Sequence, residues 1–230
     1  MMLAMHPWLQ VRRTIGTLAV LGMLASVGCG GNDASAFPPG LQPLADGVGP
    51  VAPPAPTSAS MYPEAFTAAR GETSDFIWVH ASAYVHAPLS QVMAAMLDPA
   101  VNVDRRRVQE FTVMLNDEPT YPNSFRIHNV SHDILTVEFD LDYRLGLREG
   151  TSDAPVTFDL RYQKTYGTTF ITLLAGSVEA HAVNDSVTQL DMVRELKSAG
   201  SGADDVEQYL RDFVASVQAK VHGQALPNYQ

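Results

Sequence analysis

Seven stretches between residues 76 and 198 alternate apolar and polar side chains, the period-two pattern of half-buried strands. They are Phe76–His86, Val108–Leu115, Ser124–Val130, Ile134–Leu147, Val156–Lys164, Thr168–Val183 and Val187–Ser198. The fourth is the clearest: Leu135, Val137, Phe139, Leu141, Tyr143, Leu145 and Leu147 alternate with Thr136, Glu138, Asp140, Asp142 and Arg144. Turn residues such as Tyr166-Gly167 and Asn184-Asp185 separate several of the runs, as in antiparallel hairpins. The period changes to helical twice. Pro88 opens a short helix with Val92, Met93, Met96 and Leu97 on its buried side, closed by Asp98-Pro99. Beyond the Ala199–Ala203 loop, Val206, Leu210, Phe213, Val214, Val217 and Val221 recur at helical spacing to the stop at Gly223. Ser201 is the candidate N-cap, Asp204, Asp205 and Glu207 favour the positive helix start, and Asp212 falls on the wet side. The pattern predicts an α+β domain over 74–223, an antiparallel sheet of six or seven strands with a long C-terminal helix, and a tail at 224–230.

Upstream the pattern disappears. Residues 30–60 hold seven prolines and five glycines with no periodic stripe, which predicts a disordered tether holding the domain tens of ångströms from whatever anchors it. Residues 61–73 read as a short helix with Phe66 as a docking side chain. Before the tether, the 13 residues Ile15–Val27 carry no charge and follow Arg12-Arg13, the arrangement of an export signal too short to span a bilayer. Gly28-Cys29-Gly30-Gly31 follows and resembles the lipobox of bacterial lipoproteins, with Ser26 where that family usually has leucine. The resemblance implies a signal peptide over 1–28 and lipidation of Cys29 as the first mature residue. The protein is then exported and membrane-anchored, facing the periplasm or cell surface.

Charge removes one class of partner. All 25 acidic residues follow Cys29 whereas two of the 15 basic ones precede it, so the mature part carries a net −12. Such a surface repels phosphate backbones, and nucleic acid is not an expected partner. Arg105-Arg106-Arg107 reads as a solvated turn. Cys29 is the only cysteine, so lipidation leaves no thiol for disulfides or catalysis. His80 and His86 stand about 20 Å apart at strand rise, His128 and His132 flank a turn, and no zinc-binding helix motif occurs, so no metal site is expected. Glu138, Asp140 and Asp142 form the wet face of a strand, without the apolar setting that makes one carboxyl a general acid. No nucleophile elbow and no phosphate-binding glycine loop are present. No catalytic residue and no cofactor are assigned.

The junction Tyr84-Val-His-Ala-Pro88-Leu-Ser-Gln-Val92-Met-Ala-Ala-Met-Leu97-Asp98-Pro99, with the final strand and helix over 188–222, resembles the helix-grip superfamily of START, SRPBCC and polyketide-cyclase-like proteins. That resemblance implies a curved sheet wrapped around the C-terminal helix and a cavity for a hydrophobic small molecule or lipid. Phe139, Tyr143, Phe158, Tyr162, Met192 and Phe213 are its candidate lining. Arg194 is a further ligand candidate because it breaks its pattern, sharing an inward strand face with Leu190, Met192 and Leu196. An inward arginine meets an anionic ligand, pairs with an internal carboxylate, or snorkels out at the sheet's open end. The leading reading is a lipid-anchored domain that binds or shuttles an apolar molecule. Its rivals are a non-catalytic envelope interaction module whose bulky side chains fill the barrel, and an enzyme acting on a hydrophobic substrate.

Overall fold

The computed structural model describes residues 36–44, 47–132 and 135–229; the signal-like run and Cys29 lie outside them. Eight strands form one sheet: β1 (Phe66–Glu72), β2 (Ile77–Val85), β3 (Glu110–Leu115), β4 (Asn123–His132), β5 (Thr136–Gly150), β6 (Pro155–Gly167), β7 (Ile171–Asn184) and β8 (Val187–Ser198). Their spatial order is β1-β2-β8-β7-β6-β5-β4-β3, every pair antiparallel. The helices are α1 (Leu89–Met96) and α2 (Ala203–Val221), with a short 3-10 turn at Pro99–Val101. This is the helix-grip arrangement, with one more strand than the six or seven expected. The additional strand is β1, where a short helix was expected over 61–73. Seven residues pair there along the otherwise open edge of β2, and that ladder outweighs the weak helical preference of so short a segment. Phe66 does dock against the core.

One face of the sheet is apolar and wraps α2. Val206, Leu210, Phe213, Val214 and Val217 of α2 are buried against Val79, Ala81, Ala83 and Val85 of β2 and their neighbours. Helix α2 starts one residue later than expected: Gly202 is the N-cap, its N–H donating to the Asp205 carboxylate at 3.0 Å. Asp212, expected to be wet, is buried and accepts from Arg106 and from Gln208 Nε2 at 2.9 Å. The arginine triplet is the exposed turn expected, with its side chains committed to partners: Arg105 donates to Ala100 O at 3.0 Å, Arg106 pairs with Asp212 and Arg107 with Asp205. These bonds staple the 102–108 segment along α2, and the tail joins them, the Tyr229 ring lying 4.0 Å from the Arg106 guanidinium.

The opposite face is far from wet. Asp142 is buried in a bidentate pair with Arg126 at 2.5 and 2.9 Å, and Asp140 accepts from His128 at 2.7 Å. Arg144, Asp159, Arg161, Lys164, Ser177 and Glu195 are buried as well. Burial pushes the Asp159 carboxyl up to about 6. Much of the cover comes from residues 36–44 and 47–52, part of the stretch expected to be a disordered tether. They form no regular element, as their prolines require, yet they lie across the strands as a strap. Gln163 Nε2 donates to Ala36 O at 2.8 Å, Arg144 to Pro38 O at 2.5 Å, Arg161 to Gln42 O at 2.6 Å, and Leu44 N to Ser177 Oγ at 2.9 Å. The Phe37 ring stacks 3.7 Å from the Arg144 guanidinium. Leu41 sits against Gly146, where a Cβ would come within 2.8 Å of its methyl group. A folded polar face needs acceptors for its guanidiniums, and the strap's free carbonyls supply them.

At its far end the strap is held by His80, which bridges Gly49 O at 2.8 Å and Asp191 Oδ1 at 2.7 Å. Both partners are acceptors, so the ring satisfies both only as the imidazolium. The hydrogen bond to Asp191 accordingly raises its pKa above the ordinary 6.5. A raised folded value makes the bond's contribution complete below the unfolded value and lost as pH rises through the folded one. Hydrogen exchange corrected for intrinsic rate is expected to show amides 47–52 better protected at low pH than at high pH. Asp191→Asn removes that dependence; an unchanged profile in the variant shows that His80 is not the clamp.

Candidate ligand-binding cleft

A single 19-residue helix leaves part of the concave face uncovered, at the end where β5 and β7 begin and β8 finishes. A cleft of about 400 Å³ opens there. Its floor is Phe139 and Leu141 of β5, Leu174 of β7 and Leu196 of β8, and its roof is Val206 and Tyr209 of α2. The β8–α2 loop forms one lip and the 102–108 segment the other. A shallower polar groove of about 440 Å³ adjoins it. The two share a rim of Asp104, Arg107, Ser131 and Asp205.

The innermost β8 residue in the cleft is Arg194, and the sheet is built to hold it. One inward row runs Phe125, Tyr143, Tyr162, Gly176, Arg194, Val79 across β4, β5, β6, β7, β8 and β2. Phe125 and Tyr143 stack at 4.8 Å between centroids and Tyr143 and Tyr162 at 5.4 Å. Tyr162 then lies over Gly176, where a Cβ would sit 2.0 Å from its Cζ. Its hydroxyl thereby reaches across β7 and accepts from Arg194 Nη1 at 3.3 Å. The guanidinium also stacks 3.5 Å from the centre of the Tyr209 ring. Tyr209 is fixed in turn by donating to Asn102 O at 3.2 Å, an oxygen that Tyr143 reaches at 3.4 Å.

Arg194 is buried and forms no ion pair with a carboxylate among the described residues. Asp104, on the rim, acts on it only at a distance. Burial pushes the hydroxyls of Tyr143, Tyr162 and Tyr209 above their ordinary value, so all three stay protonated at neutral pH. The Arg194 guanidinium stays charged throughout. Three buried atoms here lack a hydrogen-bond partner among the described residues: Arg194 Nε, a donor, Asn102 Oδ1, an acceptor, and Ser198 Oγ, which is both. The cleft therefore offers one buried positive charge, a charged rim of Arg107, Asp104 and Asp205, a few uncommitted polar atoms and apolar walls.

Of the seven residues expected to line a cavity, Arg194 and Phe139 do so. Tyr143, Phe158, Tyr162, Met192 and Phe213 are buried side chains of the core cluster, filling the rest of the barrel. Tyr143 and Tyr162 act on the site indirectly by positioning Arg194. Sequence reasoning missed Gly176, Tyr209 and Asn102. Gly176 was visible only as a glycine inside an alternating strand, a signal of close approach by another group. His80, His86, His128 and His132 are dispersed, and no group of three metal-ligating residues occurs among the described residues.

No protein-family model matches the chain, and no curated protein matches it in sequence. Solved structures do superpose on it. The Zhui aromatase/cyclase from Streptomyces sp. R1128 matches with a TM-score of 0.44 at 13% identity, over 64% of this chain and 92% of that one. A START superfamily protein from Mycobacterium smegmatis gives 0.47 at 8%, over 64% and 97%. The human StarD13 lipid transfer and protein localization domain gives 0.44 at 12%, over 68% and 88%.

The Tyr162–Gly176 contact is the most exacting part of the site. Gly176→Ala forces the Tyr162 ring off the β7 backbone and is expected to cost about 1–3 kcal/mol, as overpacking does. It should also release the Arg194 contact. A melting curve and a crystal structure of the variant check both; an unchanged Tm with Tyr162 in place contradicts the arrangement.

Proposed function

We propose that the protein is an exported, lipid-anchored domain that binds an apolar molecule carrying an anionic head, the head contacting Arg194 and the chain lying along Phe139, Leu141, Leu174 and Leu196. The observation that carries this reading is Arg194 itself: a buried, permanently charged group in an apolar cleft, held by neutral tyrosines and, among the described residues, by no carboxylate. Isolating a charge from water costs several kcal/mol even after relaxation, and its stacking on Tyr209 returns about 0.5–2 kcal/mol. An incoming carboxylate or similar anion supplies the missing counter-charge. A volume of about 400 Å³ falls within the range of small-molecule sites, roughly 300–1,000 Å³. The barrel-filled alternative describes the half occupied by Phe158, Met192 and Phe213 but not this end. The enzyme alternative gains nothing from Arg194 and Tyr209, neither of which exchanges a proton readily at neutral pH. Anchoring follows from the lipobox resemblance at Cys29.

Arg194→Met tests the head-group role. Its stability is expected to match or exceed that of the parent, because the variant loses a stacking contact and also a desolvated charge. Affinity for a fluorescent long-chain fatty acid should fall about tenfold or more, the worth of a charged hydrogen bond, while the fatty alcohol of equal length binds as before. Equal loss of acid and alcohol, or no binding of either by the parent, overturns the reading.

A further inference from the structure

Two of the uncommitted polar atoms in the cleft belong to side chains held by one tyrosine. Tyr209 lays its ring face 3.5 Å from the Arg194 guanidinium and donates its hydroxyl to Asn102 O at 3.2 Å. Arg194 and Asn102 both line the cleft, and they are only 6% and 2% exposed. Arg194 Nε is a donor and Asn102 Oδ1 an acceptor, each without a hydrogen-bond partner among the described residues. The orientation of the amide follows from its surroundings. Asn102 Nδ2 donates to Met96 O at 3.0 Å and to Asp98 O at 3.1 Å, which uses both of its hydrogens. Oδ1 is then the polar atom that this side chain can offer the cleft.

A plain carboxylate satisfies only half of this pair. It accepts from Arg194 but has no hydrogen to give Asn102, and its presence in the cleft leaves Oδ1 buried opposite another acceptor. A hydroxyl on the carbon next to the carboxylate, or on the one after it, supplies that hydrogen. Ser198 Oγ, the other uncommitted atom of the cleft, lies four residues along β8 from Arg194, about 13 Å at strand rise. Leu196 shares the cleft wall between them. Ser198 thus belongs to the mouth, and the donor–acceptor pair at the inner end meets only the first few carbons of a ligand.

We propose that Asn102 selects the ligand: the head group at the inner end of the cleft is a hydroxy acid, its carboxylate on Arg194 and its hydroxyl, on carbon 2 or 3, donating to Asn102 Oδ1. This rests on the ligand-binding reading above and adds a chemical class and a handedness. Arg194 is held by Tyr162 and Tyr209, and Asn102 by Met96 and Asp98. With both groups fixed, one mirror-image form reaches the two of them while its chain lies along Leu141, Leu174 and Leu196.

Displacement of a fluorescent long-chain fatty acid from the full-length protein tests this, with hexadecanoic acid and both enantiomers of its 2-hydroxy and 3-hydroxy derivatives as competitors. An added hydroxyl is better hydrated in water, which by itself weakens entry into an apolar cleft. One enantiomer of one isomer is nevertheless expected to bind about tenfold or more tightly than the plain acid, because it satisfies a buried acceptor. Its mirror image, equally hydrophobic, is expected to bind no more tightly than the plain acid. Asn102→Leu is expected to bring the ratio between the preferred hydroxy acid and the plain acid to about one. Equal affinities across the series, or weaker binding of all four hydroxy acids, overturn the selection and leave the fatty-acid reading standing. An unchanged ratio in folded Asn102→Leu assigns the preference to another group and overturns the role of Asn102. Failure of every acid to bind the parent overturns the ligand-binding reading and this inference with it. Where Asn102→Leu does not fold, the comparison of enantiomers on the parent decides alone.

Discussion

A curved sheet of eight strands is wider than one helix can cover. At about 4.8 Å between neighbours the strands span roughly 34 Å, while the 19 residues of α2 make a cylinder roughly 10 Å across. Curvature narrows the difference by wrapping β2, β8, β7 and β6 towards the helix, and α1 helps close the end next to Pro88. The remainder shows in two places. One is the cleft beside the start of α2. The other is β3, an edge strand whose six residues are all exposed. Both follow from the same deficit of covering surface, and so does the ligand-binding reading.

The second constraint is the placement of charge inside that framework. An arginine in mid-sheet is tolerated because its neighbours are polar in one direction only. Tyr162 presents an oxygen, Tyr209 presents a π face, and neither supplies a full negative charge. Gly176 is what permits this, since any side chain there lifts Tyr162 away from β8. The aromatic stack from Phe125 through Tyr143 to Tyr162 behaves as a wedge, each ring limiting the tilt of the next.

Period and order made much of this legible beforehand. The seven alternating runs and the α2 stripe were plain because each buries one side against a single core. Arg194 was conspicuous for breaking its face, and its surroundings were not, because they are contributed by five strands and a helix that no local pattern connects. The strap and β1 were misread for a common reason. Both lack an apolar period of their own and gain order only from the sheet they lie on: β1 through the open edge of β2, the strap through guanidiniums on the outer face. Asp142 and Asp212 were misread likewise. An alternating pattern distinguishes two faces, but it does not reveal that the polar one is also covered.

The strap has a temporal consequence. It is among the first parts of the domain to leave the ribosome, yet its partners Tyr121, Arg144, Arg161 and Ser177 follow it by 81, 106, 119 and 133 residues. Contacts so distant along the chain form late, because the loop between them must close before they contribute. The strap therefore completes the domain last, after β2 and β4 to β8 have assembled a surface for it. Until then the buried guanidiniums of the outer face are hydrated. The segment that emerges first is thus the last to be ordered, and the strap keeps its freedom until the barrel exists.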